Sequence, residues 1–506
     1  MNNKYPIIRR VVDFVGSSKF FWGVVVLLVA QAAWIALSAR YPMAFDEDFH
    51  LGLIKIYTDH ASPFWDGQVA GGDAFGAVAR DPSYLYHYLM SFPYRLIEAL
   101  TSNITAQVLI LRALNIGFFA GGLVIYRRLL QKTRASDAIV NLSLLIFVLI
   151  PVTPLVAAQI NYDNVIIPLT GLALLLTLGV REATSKTYLD LRRLLMLLTI
   201  CITASITKYA FLPIFIAIIL YLLVYLKSQF SSANQFKRAW KAGWARISRF
   251  AAIGLLFALL LMGGLFAERY GVNLARYHDP VPDCAEVLDY QHCQHYGPWI
   301  RDFKLNAQKG NAETSINNFT YDWFRGMWLR SFFTVDGPTT RFQTRGPLTL
   351  PGMGGIVFAI VGLAAFAWRA KYIWKKYDRP ALWLLSSTTL VYVAVLFVNN
   401  YSMYLETAKA VAINGRYLLP VMPFMILLSA LAVYDITKRR PRLQIGLASL
   451  VIFCFVWGGG ALTYVLRSND AWYWPSNQAV RSVNHTVQDV IGPIIPGYNH
   501  PTQFLN

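Results

Sequence analysis

Cysteines, acidic residues and glycine-rich nucleotide loops are all scarce in this sequence. It holds four cysteines in 506 residues and no CxxC pair, so the paired-cysteine motifs of redox and zinc sites are absent. No stretch matches a P-loop, a dinucleotide-binding turn or a G-x-S-x-G nucleophile elbow. There is also no internal repeat or low-complexity segment. The duplicated halves typical of many transporters are therefore not visible in the sequence.

Apolar residues are abundant instead. They make up 56% of the chain, and mean hydropathy is +0.42. Several near-continuous apolar runs are as long as a bilayer is thick, which predicts an all-α polytopic membrane protein. The 46 Lys and Arg outnumber the 27 Asp and Glu, for a net charge of +19. These basic residues concentrate in short loops between the runs. This distribution follows the positive-inside rule and favours contact with anionic lipid over a nucleic acid partner.

Charge in the loops also sets the predicted topology. The segment that runs from Arg80 to Leu100 could be taken for a span, but counting it as one would move the basic cluster that follows 126 to the outside, so we assign it to the outer surface. The basic N-terminus resembles a signal sequence, but its apolar run is too long for one, and we expect a retained span. We predict about eleven transmembrane helices, near 20–38, 106–129, 138–157, 164–180, 194–207, 209–226, 250–268, 351–369, 381–399, 416–434 and 444–464.

This topology divides the chain into a transmembrane domain, 1–466, and an extracytoplasmic tail, 467–506. The domain carries two outer loops, a polar one at 40–105 and a large aromatic-rich one at 269–350. We expect a plasma (inner) membrane protein with its N-terminus in the cytoplasm and its C-terminus outside, since no endoplasmic reticulum retention signal is present. The large outer loop contains two of the four cysteines, Cys284 and Cys293. The sequence is compatible with either a disulfide between them or two free thiols.

An acidic turn, Asp46-Glu47-Asp48, closely follows the first span, with His50 one helical turn further on. Charged groups beside hydrocarbon are costly unless they face water or a ligand. Apolar residues recur at helical spacing through 46–60, which predicts a short helix with Asp46 as its N-cap. One interpretation is that the carboxylates only cap the helix and favour its positive end. The other is that Asp46 or Glu47 is a catalytic carboxylate at the water–membrane boundary.

Further polar groups are expected at the same outer surface. Asp81 and Asp163 add carboxylates, and Arg80, Lys208 and Arg416 add cations. Acid–base chemistry requires a carboxylate near the reacting hydroxyl. A phosphate leaving group requires fixed cations. Both sets on one surface suit a lipid-linked phosphate as substrate.

Each cation also has a purely structural interpretation. Arg80 can pair with Asp81 in a turn, and Lys208 can extend along apolar surface to the interface. The same applies to Arg416, although Gly415 before it would allow a ligand to approach the backbone closely.

Four motifs occur in an order that resembles a known family. Phe45-Asp46-Glu47 follows the first span, and Arg80-Asp81-Pro82-Ser83-Tyr84-Leu85-Tyr86, Thr207-Lys208-Tyr209 and Gly415-Arg416-Tyr417-Leu418-Leu419-Pro420 come later. They resemble, in turn, the first-loop Asp-Glu pair, the basic-Pro-Pro-Leu-Tyr-Tyr segment, an outer-boundary lysine and the late Arg-Tyr-Leu-Leu-Pro stretch of the GT-C superfamily. These are polyprenyl-phosphate-dependent membrane glycosyltransferases, such as the protein O-mannosyltransferases (glycosyltransferase family 39-like) and the aminoarabinose transferases. Asp81 replaces the first proline of the usual pair, and the large outer loop matches no family motif.

The resemblance implies a sugar on a polyprenyl phosphate as the donor. Asp46 is then the implied general base, which deprotonates an acceptor hydroxyl or amine for a single inverting displacement at the anomeric carbon. Glu47 is implied to orient the acceptor or a metal. Arg80, Lys208 and Arg416 are implied to hold the donor phosphate and stabilise its charge as it departs.

The remaining ligands are less defined. No cofactor is required, a divalent metal ion is compatible with the pattern, and the acceptor is an unspecified glycan, lipid or protein of the cell envelope. Candidate contacts to the sugar or acceptor are Asp48, His50, Tyr84, Asp163 and Asn164.

Three other functions remain open from the sequence. A transporter or flippase for lipid-linked glycans would place charge at mid-span, whereas most charge lies at span ends. A non-catalytic scaffold would use the large outer loop. A ligase or polymerase that joins lipid-linked glycans would share the donor chemistry.

Overall fold

The computed structural model describes residues 6–43, 46–65, 67–310, 312–332 and 348–500. Over these residues the chain is helical, with two isolated β-bridges and no named strand. The α-helices are α1 (Pro6–Gly16), α2 (Ser18–Ser38), α3 (Glu47–Thr58), α4 (Leu85–Leu100), α5 (Ile104–Gln131), α6 (Asp137–Leu149), α7 (Val152–Ala157), α8 (Asp163–Ala183), α9 (Leu191–Thr207), α10 (Leu212–Gln229), α11 (Ala233–Ala245), α12 (Arg249–Phe266), α13 (Val272–Tyr277), α14 (Cys284–Val287), α15 (Tyr290–Cys293), α16 (Gly297–Gln308), α17 (Ile316–Ser331), α18 (Leu350–Lys376), α19 (Arg379–Thr407), α20 (Met422–Thr437), α21 (Pro441–Trp457), α22 (Gly460–Arg467) and α23 (Gln478–Val490).

The predicted all-α polytopic membrane fold is confirmed. In three of the predicted spans the helix is short: α6 has 13 residues, α9 has 17 and α20 has 16. Eight segments of the described chain are long and apolar enough to cross a membrane: Ser18–Ser38, Ile104–Gln131, Asp163–Ala183, Tyr209–Gln229, Arg249–Tyr277, Leu350–Lys376, Arg379–Thr407 and Pro441–Arg467.

Two predicted spans are interrupted, each for a local reason. The span at 138–157 breaks between α6 and α7, where Pro151 stands as the N-cap of α7 and cannot donate a backbone hydrogen bond. The span at 444–464 breaks between α21 and α22. A Cβ on Gly458 would lie 2.1 Å from the backbone nitrogen of Gly352, so only glycine allows α18 to pass this close.

The predicted helix in the acidic segment is confirmed as α3, Glu47–Thr58. Its residues Leu51 and Ile54 are fully buried and pack with Met90 of α4 and Leu111 of α5. Arg95 of α4 also donates hydrogen bonds to backbone carbonyls at the end of α3. Helix α3 is therefore fixed against the bundle along its length, and its acidic first turn has a defined position.

The C-terminal segment packs against the same end of the bundle. The backbone N–H of Arg40 donates to the carbonyl of Trp472 over 2.7 Å, and that of Trp474 donates to Ser38 over 3.1 Å. The indole N–H of Trp34 donates to Asn484 of α23 over 2.9 Å. Residues after α22 therefore support the end of α2 that leads into the acidic turn.

Candidate active site

Asp46 is held at a buried arginine. Its Oδ2 accepts a hydrogen bond from Nη2 of Arg416 over 2.6 Å, across 370 residues of sequence. The Asp46 side chain is 53% exposed and that of Arg416 only 6%. Asp46 has a left-handed backbone (φ 69°), and its side chain makes no capping hydrogen bond. Asp46 therefore stands at the predicted N-cap position, but its side chain does not cap α3: the turn sets a half-exposed carboxylate over a buried guanidinium.

The turn that carries Arg416 is packed tightly. Asn414 caps it by accepting the backbone N–H of Arg416 over 3.0 Å. A Cβ on Gly415 would lie 2.1 Å from Oγ of Ser331 and 2.6 Å from the carbonyl oxygen of Met327. The prediction that Gly415 allows close approach of a ligand is thus wrong. The glycine lets α17 approach, and this packing orients Arg416.

Lys208 and Asp163 form a second ion pair in the same region. Nζ of Lys208 lies 2.5 Å from Oδ1 of Asp163, and both side chains are almost fully buried. The other carboxylate oxygen, Oδ2, is buried without a hydrogen-bond partner among the described residues. Lys208 also lies over the ring of Tyr417 at 5.2 Å, and Cζ of Arg416 lies 5.2 Å from the centre of the same ring. The two cations therefore flank one aromatic ring.

Glu47 is committed to the fold. Its carboxylate is fully buried and accepts two hydrogen bonds from Arg112, at 2.8 and 2.7 Å. It also accepts the backbone N–H groups of Met43 and Ile160. Arg112 in turn donates to carbonyls at the end of α2. With both oxygens occupied and no exposed surface, Glu47 is not positioned to orient an acceptor or a metal, contrary to the implied role.

Arg80 pairs across the bundle. Its Nη2 lies 2.9 Å from Oε1 of Glu268, at the end of α12. Asp81 instead accepts the backbone N–H of Ser83, and burial raises the pKa of its carboxyl. The interpretation of Arg80 and Asp81 as a local pair is therefore wrong. Nη1 of Arg80 is buried and has no hydrogen-bond partner within the described chain.

Arg269 completes this second cluster. It is fully buried, donates to the carbonyl of Pro63 over 2.7 Å, and lies 4.7 Å over the ring of Tyr84. Its Nη1 is buried and, as far as the structure describes the chain, unpartnered, as is the hydroxyl of Tyr84. Arg269 follows Glu268 in a π-helical turn, a feature often found at functional sites.

The other predicted contact residues have different surroundings. Asp48 is exposed on α3. The buried amide nitrogen of Asn164 donates to the carbonyls of Val156 and Gln159 and to Asn115, while its Oδ1 is buried without a hydrogen-bond partner among the described residues. His50 is fully buried, and its Nδ1 lies 2.9 Å from Nε2 of His87 on α4.

The large outer loop reaches the site through a disulfide-bonded segment. Of the two alternatives left open for Cys284 and Cys293, the structure contains the disulfide. Three residues further on, the ring of Tyr296 packs on Gly76, where a Cβ would lie 3.0 Å from Cδ1. The same ring lies 6.3 Å from that of Phe49 on α3. This segment therefore covers the acidic turn from one side.

No group of three or more His, Cys, Asp or Glu side chains is placed to hold a metal ion in the described part of the chain. The divalent ion compatible with the sequence stays a prediction.

The sequence analysis missed Arg112, His87, Glu268 and Arg269. Arg112 could have been recognised from the sequence, because it is a charged residue within the apolar run of α5 and such residues are costly in a membrane. Glu268 and Arg269 also stand at the end of an apolar run. Nothing in the sequence marks His87 as the partner of His50.

No family model matches the chain, and no curated protein matches it in sequence. The chain is similar to solved structures of ArnT from Cupriavidus metallidurans. The one bound to undecaprenyl phosphate has a TM-score of 0.47 and 13% identity, and the apo one 0.46 and 14%; each comparison covers 94% of this chain and 70% of the other. The Archaeoglobus fulgidus oligosaccharyltransferase in complex with Zn and sulfate gives 0.45 and 12%, over 91% of this chain and 56% of the other.

One of these structures has undecaprenyl phosphate bound, and another is an oligosaccharyltransferase. Similarity at these identities and TM-scores does not carry substrate or mechanism over to this chain.

Proposed function

We propose that this protein is a membrane glycosyltransferase that moves a sugar from a polyprenyl phosphate to an acceptor hydroxyl or amine. The observation that carries the proposal is the contact between half-exposed Asp46 and buried Arg416, with Lys208 against the same Tyr417 ring that Arg416 contacts. A base and two phosphate-binding cations then share one site. The reaction is a single displacement that inverts the anomeric carbon.

The two cations have complementary roles. Arg416 offers a planar guanidinium suited to bidentate contact with phosphate, and Lys208 offers a compact charge. Both side chains are already buried in the folded protein. The free-energy cost of removing them from water is therefore met during folding, and it does not weaken phosphate binding. A donor phosphate that takes the Asp46 position on Arg416 releases the carboxylate. Asp46 is then free to remove the proton of the acceptor as its oxygen or nitrogen attacks.

Arg80 and Arg269 supply further donors to the same anion. Each has a buried N–H group without a protein partner in the described residues, and a buried donor left unpaired is costly. A phosphate oxygen would satisfy these groups. Glu268 sets the spacing of the two guanidinium groups, since it lies within 2.9 Å of one and 3.4 Å of the other.

The remaining assignments follow from this site. Glu47 acts through Arg112 by fixing the ends of α2 and α3, and it has no contact with substrate. Asp48 and Tyr84 remain candidate contacts to the sugar or acceptor, and Asp163 acts through Lys208. We propose that the site faces the outside of the plasma membrane, as the positive-inside distribution favours, and that the acceptor is a glycan, lipid or protein of the cell envelope.

The test uses the purified full chain and a panel of short-chain polyprenyl-phosphate sugars. Release or transfer of sugar by the wild type, lost in Asp46→Asn, is the expected result. Saturable donor binding without turnover of any donor would favour the transporter and scaffold alternatives. Growth of the product by repeated additions would instead favour a ligase or polymerase.

A further inference from the structure

The imidazole pair formed by His50 and His87 is a second ionisable centre beside the site. Nδ1 of His50 lies 2.9 Å from Nε2 of His87, and the two rings are nearly parallel, with an interplanar angle of 16°. Both side chains are fully buried. At this distance one nitrogen donates to the other, so a single proton lies between the rings.

Aromatic rings surround the imidazole pair and exclude water. Tyr162 meets His50 edge-on at 4.5 Å, Phe49 lies 5.7 Å from His50, and Tyr86 lies 5.3 Å from His87. The outer nitrogen of His87, Nδ1, has no hydrogen bond of standard geometry among the described residues. The pair is therefore not a surface feature. Nζ of Lys208 lies 4.5 Å from the centre of the Tyr162 ring, so this ring contacts both the imidazole pair and a donor-site cation.

Charge couples the imidazole pair to the donor site. Burial and the positive charges of Arg416 and Lys208 hold the pKa of His50 well below its usual range. Burial lowers the pKa of His87 to about 3. The charged and titratable groups around the pair are these two cations and their partners Asp46 and Asp163, with Tyr86 and Tyr162. A phosphate on the cations would offset the part of this lowered pKa that comes from their positive charge, while the part that comes from burial would remain.

We propose that the imidazole pair is the proton acceptor that restores the catalytic carboxylate. The inference rests on the proposed function. As the acceptor oxygen bonds to the anomeric carbon, the bond from that carbon to the phosphate oxygen breaks and its electron pair stays on phosphate. The acceptor proton passes to Asp46 and from it to His50, one helical turn along α3. The two neutral imidazoles carry one N–H proton each, so the pair then holds three protons and one positive charge while the phosphate carries its added negative charge.

The experiment compares kcat across pH 5 to 9 for the wild type, His50→Gln and His87→Gln. His60→Gln is the matched control, since that imidazole follows the end of α3 by two residues and stacks on Trp65. We expect both pair variants to lose on the order of 10–100-fold in kcat with unchanged donor affinity. The acidic limb of the wild-type profile should be lost in both, and the double variant should be no slower than either single variant.

Thermal unfolding of each variant separates folding from proton transfer, and the glutamines retain a hydrogen-bonding group at each position. Wild-type kcat with an unchanged acidic limb in His50→Gln would overturn the proposal while leaving the glycosyltransferase function intact. Additive losses in the double variant that follow unfolding would also overturn it. No turnover by the wild type would refute the proposed function itself.

Discussion

The exchange of Asp46 for phosphate on Arg416 predicts that Asp46→Asn binds the donor more tightly than the wild type. The carboxylate contacts Arg416 at 2.6 Å and must leave before phosphate can take its place. Because Asp46 is half exposed, solvent screens the pair, and we take its net value as about 1 kcal/mol. Removing that competition should lower the Kd of a short-chain polyprenyl phosphate by about 5-fold, as measured by calorimetry in detergent.

Asp48→Asn is the matched control for this measurement. The substitution removes the same charge two residues further along the chain. The Asp48 side chain is exposed and has no ion pair among the described residues. The affinity of this variant for the same polyprenyl phosphate, which carries no sugar, should change by less than 2-fold, about 0.4 kcal/mol. If both variants bound the polyprenyl phosphate more tightly by the same factor, the effect would come from the loss of negative charge in general and not from Arg416. Weaker binding by Asp46→Asn would refute the exchange, because the carboxylate would then be assisting phosphate binding.

Three further predictions concern the buried charges. Arg112→Met should destabilise the protein by about 3–5 kcal/mol, since Glu47 is left buried and unpaired. Adding Glu47→Gln to this variant should restore most of the thermal stability. A lower kcat at unchanged stability would instead assign the pair to catalysis. The charge-balanced double variant Lys208→Met/Asp163→Asn should fold normally but bind donor phosphate about 10-fold more weakly, whereas wild-type affinity would exclude Lys208 from the phosphate site. The imidazole pair stays neutral in the folded protein while free histidine titrates near pH 6.5. Stability should therefore be full above that pH and fall by about 2 kcal/mol per imidazole between pH 7 and 5. Replacement of both imidazoles by glutamine should remove most of this slope in unfolding experiments.

Composition and motif position were enough to predict the fold class and several members of the site. Apolar runs of bilayer length have few alternatives to helices, because the bilayer core offers no water to hydrogen-bond with backbone groups and a helix pairs them internally. Ionisable residues next to such runs are costly, so Asp46, Lys208 and Arg416 were recognisable, and the structure brings all three to one end of the bundle.

The pairing of these residues could not be predicted. Asp46 and Arg416 are 370 residues apart, and neither spacing nor charge indicates that Arg80 reaches Glu268 and not its neighbour Asp81. Glu47 appeared equivalent to Asp46 in sequence, and each carboxylate contacts a buried arginine, yet Glu47 is fully buried and Asp46 is half exposed. A one-residue step along a helix start turns a side chain by about 100°, and only the three-dimensional packing decides which carboxylate meets solvent.

The most direct test of the central claim is a single-turnover measurement with donor bound at saturation. Asp46→Asn should transfer or release sugar at least about 100-fold more slowly than the wild type while its donor site stays full. A rate within a few-fold of the wild type at full occupancy would contradict the assignment of Asp46 as the base.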